Sequence, residues 1–457
     1  MDPDREFHPF FLFLLIVFIL IFAGLFTPFR DRIGFKLDDI KSRLFYRMNA
    51  PEQTVFVPQG AQGVSFSTTD SLPDVSVTPY LLTELPAETE FAMATEAVAT
   101  SASAEPSLQP TQTAMQTITP TPTETPVPLP PSAAISGVKY EDQHGIWNYC
   151  APTNLSMAMT FWGWDGDRIK AGKWLKPFDK DKNVMFYEME NFVREMSGLR
   201  SVVRTGGTPE LLKQLIVAGF PVLIEKGAYM QEVNGRLSWM GHYNVVTGYD
   251  DAEQEWTVQD SYYTADYKVS YDLLQDEWRS FNFQFMVVYP GEKEAELYET
   301  LGPYTNNDWV TKNTMAIAEK MIQEAEDSES YYFAYFNRGS TQIDMNDFYG
   351  AAQSYDMAFK YYAELDAQTR PYRMVWYQTG PYLAYYYSGR YSDVISLADI
   401  TLASTQEPFL EESYYWRAMA YFAIGNMNGA ESDARACLEV HPAFPVCDAL
   451  LAKIGVP

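Results

Sequence analysis

The stretch EDQHGIWNYCAPTNLSMAMTFWG, residues 141–163, holds one of the three cysteines in a chain of 457 residues. Cys150 stands where a loop gives way to an apolar run with helical spacing. Ala151, Pro152 and Thr153 suit a first turn, and LSMAMTFW continues it. A free cysteine is usually a small buried hydrophobe. At a helix start, however, backbone amides and the positive dipole end stabilise a thiolate, and the Cys150 N–H can serve a developing oxyanion. Gln143, upstream in the same loop, carries an amide that can donate to that oxyanion without titrating.

A nucleophilic cysteine needs a base, and the chain has 4 histidines. His8 precedes a long apolar run, His441 lies near the C-terminal end, and His144 adjoins Gln143 and competes with it for space. His242 opens the strand-like HYNVVTGY. After the turn DDAEQE comes the strand-like WTVQD, ending in Asp260. A turn centred on Asp251 sets His242 directly opposite Asp260, with side chains on one face about 5 Å apart at Cβ. A carboxylate there holds an imidazole in a single tautomer. Each residue also has a plain structural reading: a satisfied core histidine, a turn-forming aspartate, a surface glutamine. Taken jointly they form a thiol site. Trp147, Tyr149 and Trp239 flank it in sequence and are expected to line a substrate groove.

The segments QHGIWNYCAPTNLSMAM, GHYNVVTGYDD and VQDSYY make residues 139–290 resemble the C39-like peptidase domain. The resemblance implies a papain-like fold in which Gln143 completes the oxyanion hole, Cys150 is the nucleophile, His242 the general base and Asp260 its orienting partner. It implies no metal and no organic cofactor. The family commonly has Cys-Gly and Asp-Pro where this chain has Cys150-Ala151 and Asp260-Ser261. No GxxxxGK phosphate-binding motif accompanies the domain, so the cleavage of double-glycine leaders practised by exporter-linked relatives does not transfer.

Composition frames this domain. A net charge of -27 repels phosphate and excludes general nucleic-acid binding. Residues 10–26, FFLFLLIVFILIFAGLF, are apolar or small throughout and just long enough to cross a bilayer when extended to residue 29. Residues 1–29 are therefore expected to form an uncleaved membrane anchor, and residues 30–50 a basic amphipathic juxtamembrane segment. No Lys or Arg occurs between Arg47 and Lys139, and the text ends in TPTPTETPVPLPPS. Residues 51–137 are expected to be a disordered Thr/Pro-rich linker. The basic residues after the span favour a cytoplasmic body, whereas a Thr-Pro stalk favours the opposite side; the balance leans extracytoplasmic.

Residues 138–291 change from helical to strand-like spacing, which predicts an α+β domain with N-terminal helices and a C-terminal antiparallel sheet. Residues 292–457 are helical throughout. Gly339, Ala351 and Ala358 repeat their intervals in Ala418, Ala430 and Cys437, with a fainter copy at Tyr382, Tyr385 and Ala398. Small residues at those steps let two helices approach closely, and the pattern resembles tetratricopeptide repeats, which take protein partners. Cys437 and Cys447 are close enough to pair in an oxidising compartment, leaving Cys150 as the odd thiol. The sequence thus points to a membrane-anchored cysteine peptidase with a peptide or protein substrate. A non-catalytic binding protein on a degenerate peptidase fold, or a thiol acyltransferase, stays open.

Overall fold

The computed structural model describes residues 36–37, 40–41, 54–59, 128–176, 178, 181–232, 235–405 and 409–455. Among the described residues no helix is long and apolar enough to cross a membrane; the span expected at 10–26 lies outside them. Of the expected amphipathic segment, Lys36, Leu37, Ile40 and Lys41 are helical, with Leu37 and Ile40 exposed.

Most helices of the first half precede its main strands, as the spacing predicts, but a three-residue strand comes before them, the strand at 200–204 interrupts them and a helix at 271–278 falls within the run of strands. Helix α1 (Cys150–Phe161) is followed by α2 (Arg168–Leu175), α3 (Phe186–Met196) and α4 (Pro209–Val217). Thr208-Pro209-Glu210 is a helix-start sequence, and Thr208 caps α4 by accepting from Leu211 N, with proline in the first turn. The strands are β1 (Ser132–Ala134), β2 (Arg200–Arg204), β3 (Val222–Gln231), β4 (Leu237–Asp250), β5 (Glu255–Gln259), β6 (Tyr267–Ser270) and β7 (Phe285–Tyr289). They form one sheet in the order β2-β7-β3-β4-β5-β6, with β1 paired to the end of β4, and every pairing is antiparallel.

Period-two alternation gives this sheet two apolar faces. Leu223, Val245, Met286 and Val288 pack with Leu155, Met157 and Met159 of α1. Val222, Ile224, Val246 and Val287 pack on the other face with Leu211, Leu215 and Ile216 of α4 and with Trp278 of α5 (Tyr271–Trp278). Helix α1 is buried from Ala151 to Met159, so the residue that begins it is fixed by the core behind it.

The second half comprises α6 (Glu294–Leu301), α7 (Asn307–Glu324), α8 (Ser328–Asp344), α9 (Phe348–Glu364), the short α10 (Met374–Tyr377), α11 (Gly380–Tyr387), α12 (Tyr391–Ala403), α13 (Glu411–Ala423), α14 (Met427–Val440) and α15 (Pro445–Lys453). Helices α8 and α9, α11 and α12, and α13 and α14 pack as hairpins. The small-residue reading is concrete at Gly339, where a Cβ would lie 2.9 Å from the Tyr355 ring. Cys437 and Cys447 are joined as a disulfide.

Three boundaries expected from the sequence are corrected. Leu297, Leu301, Tyr304 and Val310 join the core that contains Phe285 and Val287, so the first domain's packing continues beyond residue 291. The linker assigned to 51–137 is not a spacer at either end. Ser132 to Ala134 pair with Asp250 to Gly248, and Phe56 is buried among the helical hairpins. Composition misled here because a two-residue apolar anchor or a three-residue edge strand does not alter the average of a long Thr/Pro/Ala-rich stretch.

Candidate active site

Three elements bring Cys150, His242 and Asp260 together. Cys150 is the first residue of α1, capped by Tyr149, and is partly exposed. His242 sits midway along β4, and Asp260 follows the last residue of β5. The His242 Nε2 lies 2.8 Å from Asp260 Oδ1, and the imidazole also has a hydrogen bond with the Cys150 side chain. With Nε2 engaged by the carboxylate, Nδ1 is the nitrogen left for sulfur. His242 and Asp260 are 1% and 0% exposed, so the exchange between them is shielded from water on the far side from Cys150.

His242 and Asp260 meet through a register other than the one a turn centred on Asp251 predicts. The ladder pairs Asp250 with Glu255, Gly248 with Thr257 and Val245 with Gln259, with an irregularity between Val246 and Gly248. Continued one step, it sets Asp260 across from Asn244 rather than His242. The slip is two residues, and an even slip keeps a side chain on its face, so the pair meets diagonally. Asp260 is a turn former as well: its Oδ1 accepts from Tyr262 N and Tyr263 N at 2.9 and 3.2 Å. Both readings of that residue hold at once.

Electrostatics follow from the geometry. Burial disfavours a charged imidazole, but the Asp260 carboxylate and its hydrogen bond, with the Cys150 contact, outweigh it and hold the His242 pKa up at about 9. Burial likewise opposes ionisation of Asp260, yet His242 and then Lys226 keep its carboxyl well below the usual range. Lys226 stands opposite His242 in the β3–β4 ladder and is itself ion-paired to Glu277 at 2.7 Å.

Gln143 is fixed by a chain of hydrogen bonds. Its backbone N donates to Ser261 O at 2.9 Å, and Ser261 Oγ donates to Gln143 Oε1 at 2.7 Å. Asn154 Nδ2 in turn donates to Ser261 Oγ at 2.8 Å and to Cys150 O at 2.9 Å. With Oε1 turned to Ser261, the amide's Nε2 donor points away from that hydroxyl.

Residues 135–286 match the model of the Peptidase_C39 like family. This stretch is a C39-like peptidase domain. A solved structure described as a putative C39-like peptidase from Bacillus anthracis is also similar, at 19% identity over 34% of this chain and 96% of that one, with a TM-score of 0.29. No curated protein matches the chain.

The aromatic residues expected to line a groove in the C39-like domain fall differently. Tyr149 is 7% exposed and packs under α2, with Lys176 Nζ 5.0 Å above its ring. Trp239 is 2% exposed, stacked on Phe281 at 5.9 Å and adjacent to Phe333 of α8. Both serve packing, because each is enclosed by a neighbouring helix; Trp147 alone keeps partial exposure in the loop before Cys150. His144 is exposed and bonded to Asp142, away from the Cys150–His242–Asp260 cluster.

Four residues near the site escaped sequence reasoning. Asn154, four residues after Cys150, shares its helical face, a spacing that was legible. Ser261 stands where the family commonly has proline, and its hydroxyl links Asn154 to Gln143. Glu225 faces Tyr243 across the ladder, and burial pushes its carboxyl well above the usual range, with Cys150 acting in the same direction. Tyr377 comes from α10 of the helical half. Its ring packs on Gly241, where a Cβ would lie 3.2 Å from ring carbons, and its hydroxyl accepts from the Gly241 backbone. Arg373, at the start of α10, anchors it by donating to Trp239 O at 3.0 Å and pairing with Glu232 at 2.8 Å. No local pattern reveals a residue delivered from over a hundred positions away.

Proposed function

We propose that this protein is a membrane-anchored papain-like cysteine peptidase. One observation carries the reading: an imidazole with Asp260 on one nitrogen and Cys150 as its other partner, at the start of a buried helix. The sulfur of Cys150 attacks the scissile carbonyl, forming a C–S bond while the carbonyl oxygen takes the electron pair. Gln143 Nε2 and the Cys150 N–H hold that oxyanion. Collapse breaks the C–N bond, and protonated His242 delivers its proton to the leaving amine. Neutral His242 then takes a proton from water, whose oxygen attacks the thioester and releases the acid. Asp260 remains ionised throughout and holds the ring.

The catalytic domain is placed on the extracytoplasmic side, where the Cys437–Cys447 disulfide would persist. The helical hairpins act as tetratricopeptide-like repeats that hold a protein partner or substrate.

Iodoacetamide labelling tests the chemistry. Cys150 should alkylate well below pH 8, Cys150→Ala should abolish labelling, and His242→Ala should slow it. Labelling no faster than an ordinary thiol, with His242→Ala without effect, would leave a non-catalytic binding protein as the reading. That alternative draws support from the near-complete burial of His242. Digestion of a peptide library with and without an added amine separates hydrolysis from acyl transfer.

A further inference from the structure

Away from the site, the sequence TVFVPQ at 54–59 lies against the helical half although none of its residues belongs to a helix or strand. Phe56 is 3% exposed, while its neighbour Val57 is 71% exposed. The Phe56 ring stands edge-on to Phe359 of α9 at 4.9 Å and lies 5.9 Å from Tyr385 of α11, so it wedges between consecutive hairpins. Three residues later Gln59 N donates to Asp393 Oδ1 at 2.8 Å. Asp393 opens α12, is 2% exposed, and is held by Arg390 at 2.7 Å. Beside Thr54 and Phe56 the depression continues as a cavity lined by Tyr332, Tyr362, Tyr372, Val375 and Ile400.

Two features separate this from ordinary core packing. The hairpins pair with one another through their own helices and do not need these six residues for any backbone hydrogen bond. The contact instead has the form of linear-peptide recognition: one aromatic anchor in a pocket, the next side chain in solvent, and a prearranged buried carboxylate on a main-chain amide. We propose that the groove between the α8–α9 and α11–α12 hairpins is a binding site for a linear peptide with an aromatic anchor, and that residues 54–59 are its occupant, held in cis. The anchor-side chain therefore joins the folded body at the helical half, not at the C39-like domain. This inference rests on the contact itself and is independent of the peptidase reading.

A tethered occupant competes at an effective concentration in the millimolar range, so a modest intrinsic affinity gives near-complete cis occupancy. The test uses the full chain in detergent and a fluorescein-labelled synthetic peptide spanning residues 51–62, read by fluorescence anisotropy. Phe56→Ala, with the resident anchor removed, should bind the probe at least about tenfold more tightly than the wild type. A probe carrying alanine in place of its phenylalanine should bind neither. Adding Asp393→Asn to the Phe56→Ala chain should weaken binding by about tenfold, the worth of one hydrogen bond to a charged group. A Phe56→Ala chain with wild-type circular dichroism that takes up no probe would overturn the site. Equal binding by wild type and variant would overturn the cis occupancy. If Phe56→Ala does not fold, Gln59→Pro decides: it removes the N–H that donates to Asp393 and should raise probe binding severalfold, and binding unchanged from wild type would overturn the proposal.

Discussion

Asp260 keeps its charge in a fully buried position because His242 offers the matching charge 2.8 Å away. The pair is linked to stability in two windows. A folded pKa of about 9 lies above the ordinary histidine value of 6.5, so its contribution is complete below pH 6.5 and is lost as pH rises through 9. The depressed carboxyl contributes above its ordinary value and is lost only as pH falls well below it. Replacing Asp260 with Asn leaves burial as the dominant influence on the ring, which lowers its pKa. The alkaline limb of kcat/KM, expected near pH 9 in the wild type, should then move at least one unit down, measurable in a pH–rate profile. At Ser261 the prediction is different in kind. Ser261→Ala frees the Gln143 amide to rotate, so kcat should fall by up to about a hundredfold with KM little changed, because the donor matters only once the oxyanion forms.

At the scale of elements, helix starts and strand faces were legible because their signals are local: Thr208-Pro209, the apolar alternation of β3 and β4, the apolar run after Cys150. Strand register was not, since the turn is centred between Ala252 and Glu253 rather than on Asp251, and a bulge near Thr247 shifts the ladder back by one residue. The site survived because the error was even in residues. Small-residue spacing in the hairpins was legible for a steric reason, and that reason is testable. Gly339→Ala pushes a methyl to 2.9 Å from the Tyr355 ring. It should cost about 1–3 kcal/mol in urea unfolding despite alanine's better helix propensity. The α10 contact was illegible, since Arg373 and Tyr377 recognise strand β4 only after both halves have folded. Arg373→Ala would leave buried Glu232 without its guanidinium and should destabilise the joint by about 3 kcal/mol, read as separation of one unfolding transition into two.

For the whole molecule, cysteine spacing allowed the pairing of Cys437 with Cys447 without requiring it, and the fold decides it. Cys437 and Cys447 close a short loop between α14 and α15, and Cys150 is the free thiol. Thiol titration of the unfolded, unreduced chain should give one equivalent, and reduction should cost roughly 2–3 kcal/mol of stability for a loop of that size. Domain boundaries were less legible, because Leu297 to Val310 carry a helical pattern yet serve the core of the sheet.

The docking of Phe56 and Gln59 has a mechanical corollary. A pull arriving along the chain from the N-terminal side reaches the folded body first at the α9–α11 wedge and at Asp393. Along the sequence the chain is thus tied to the helical half at residues 54–59 before it is tied to the sheet at Ser132–Ala134. Tension is met first by one ring and one hydrogen bond, and only after these yield does load pass to the edge strand Ser132–Ala134. Cys150 and the helix it begins lie behind both stages, insulated from force by a fuse six residues long.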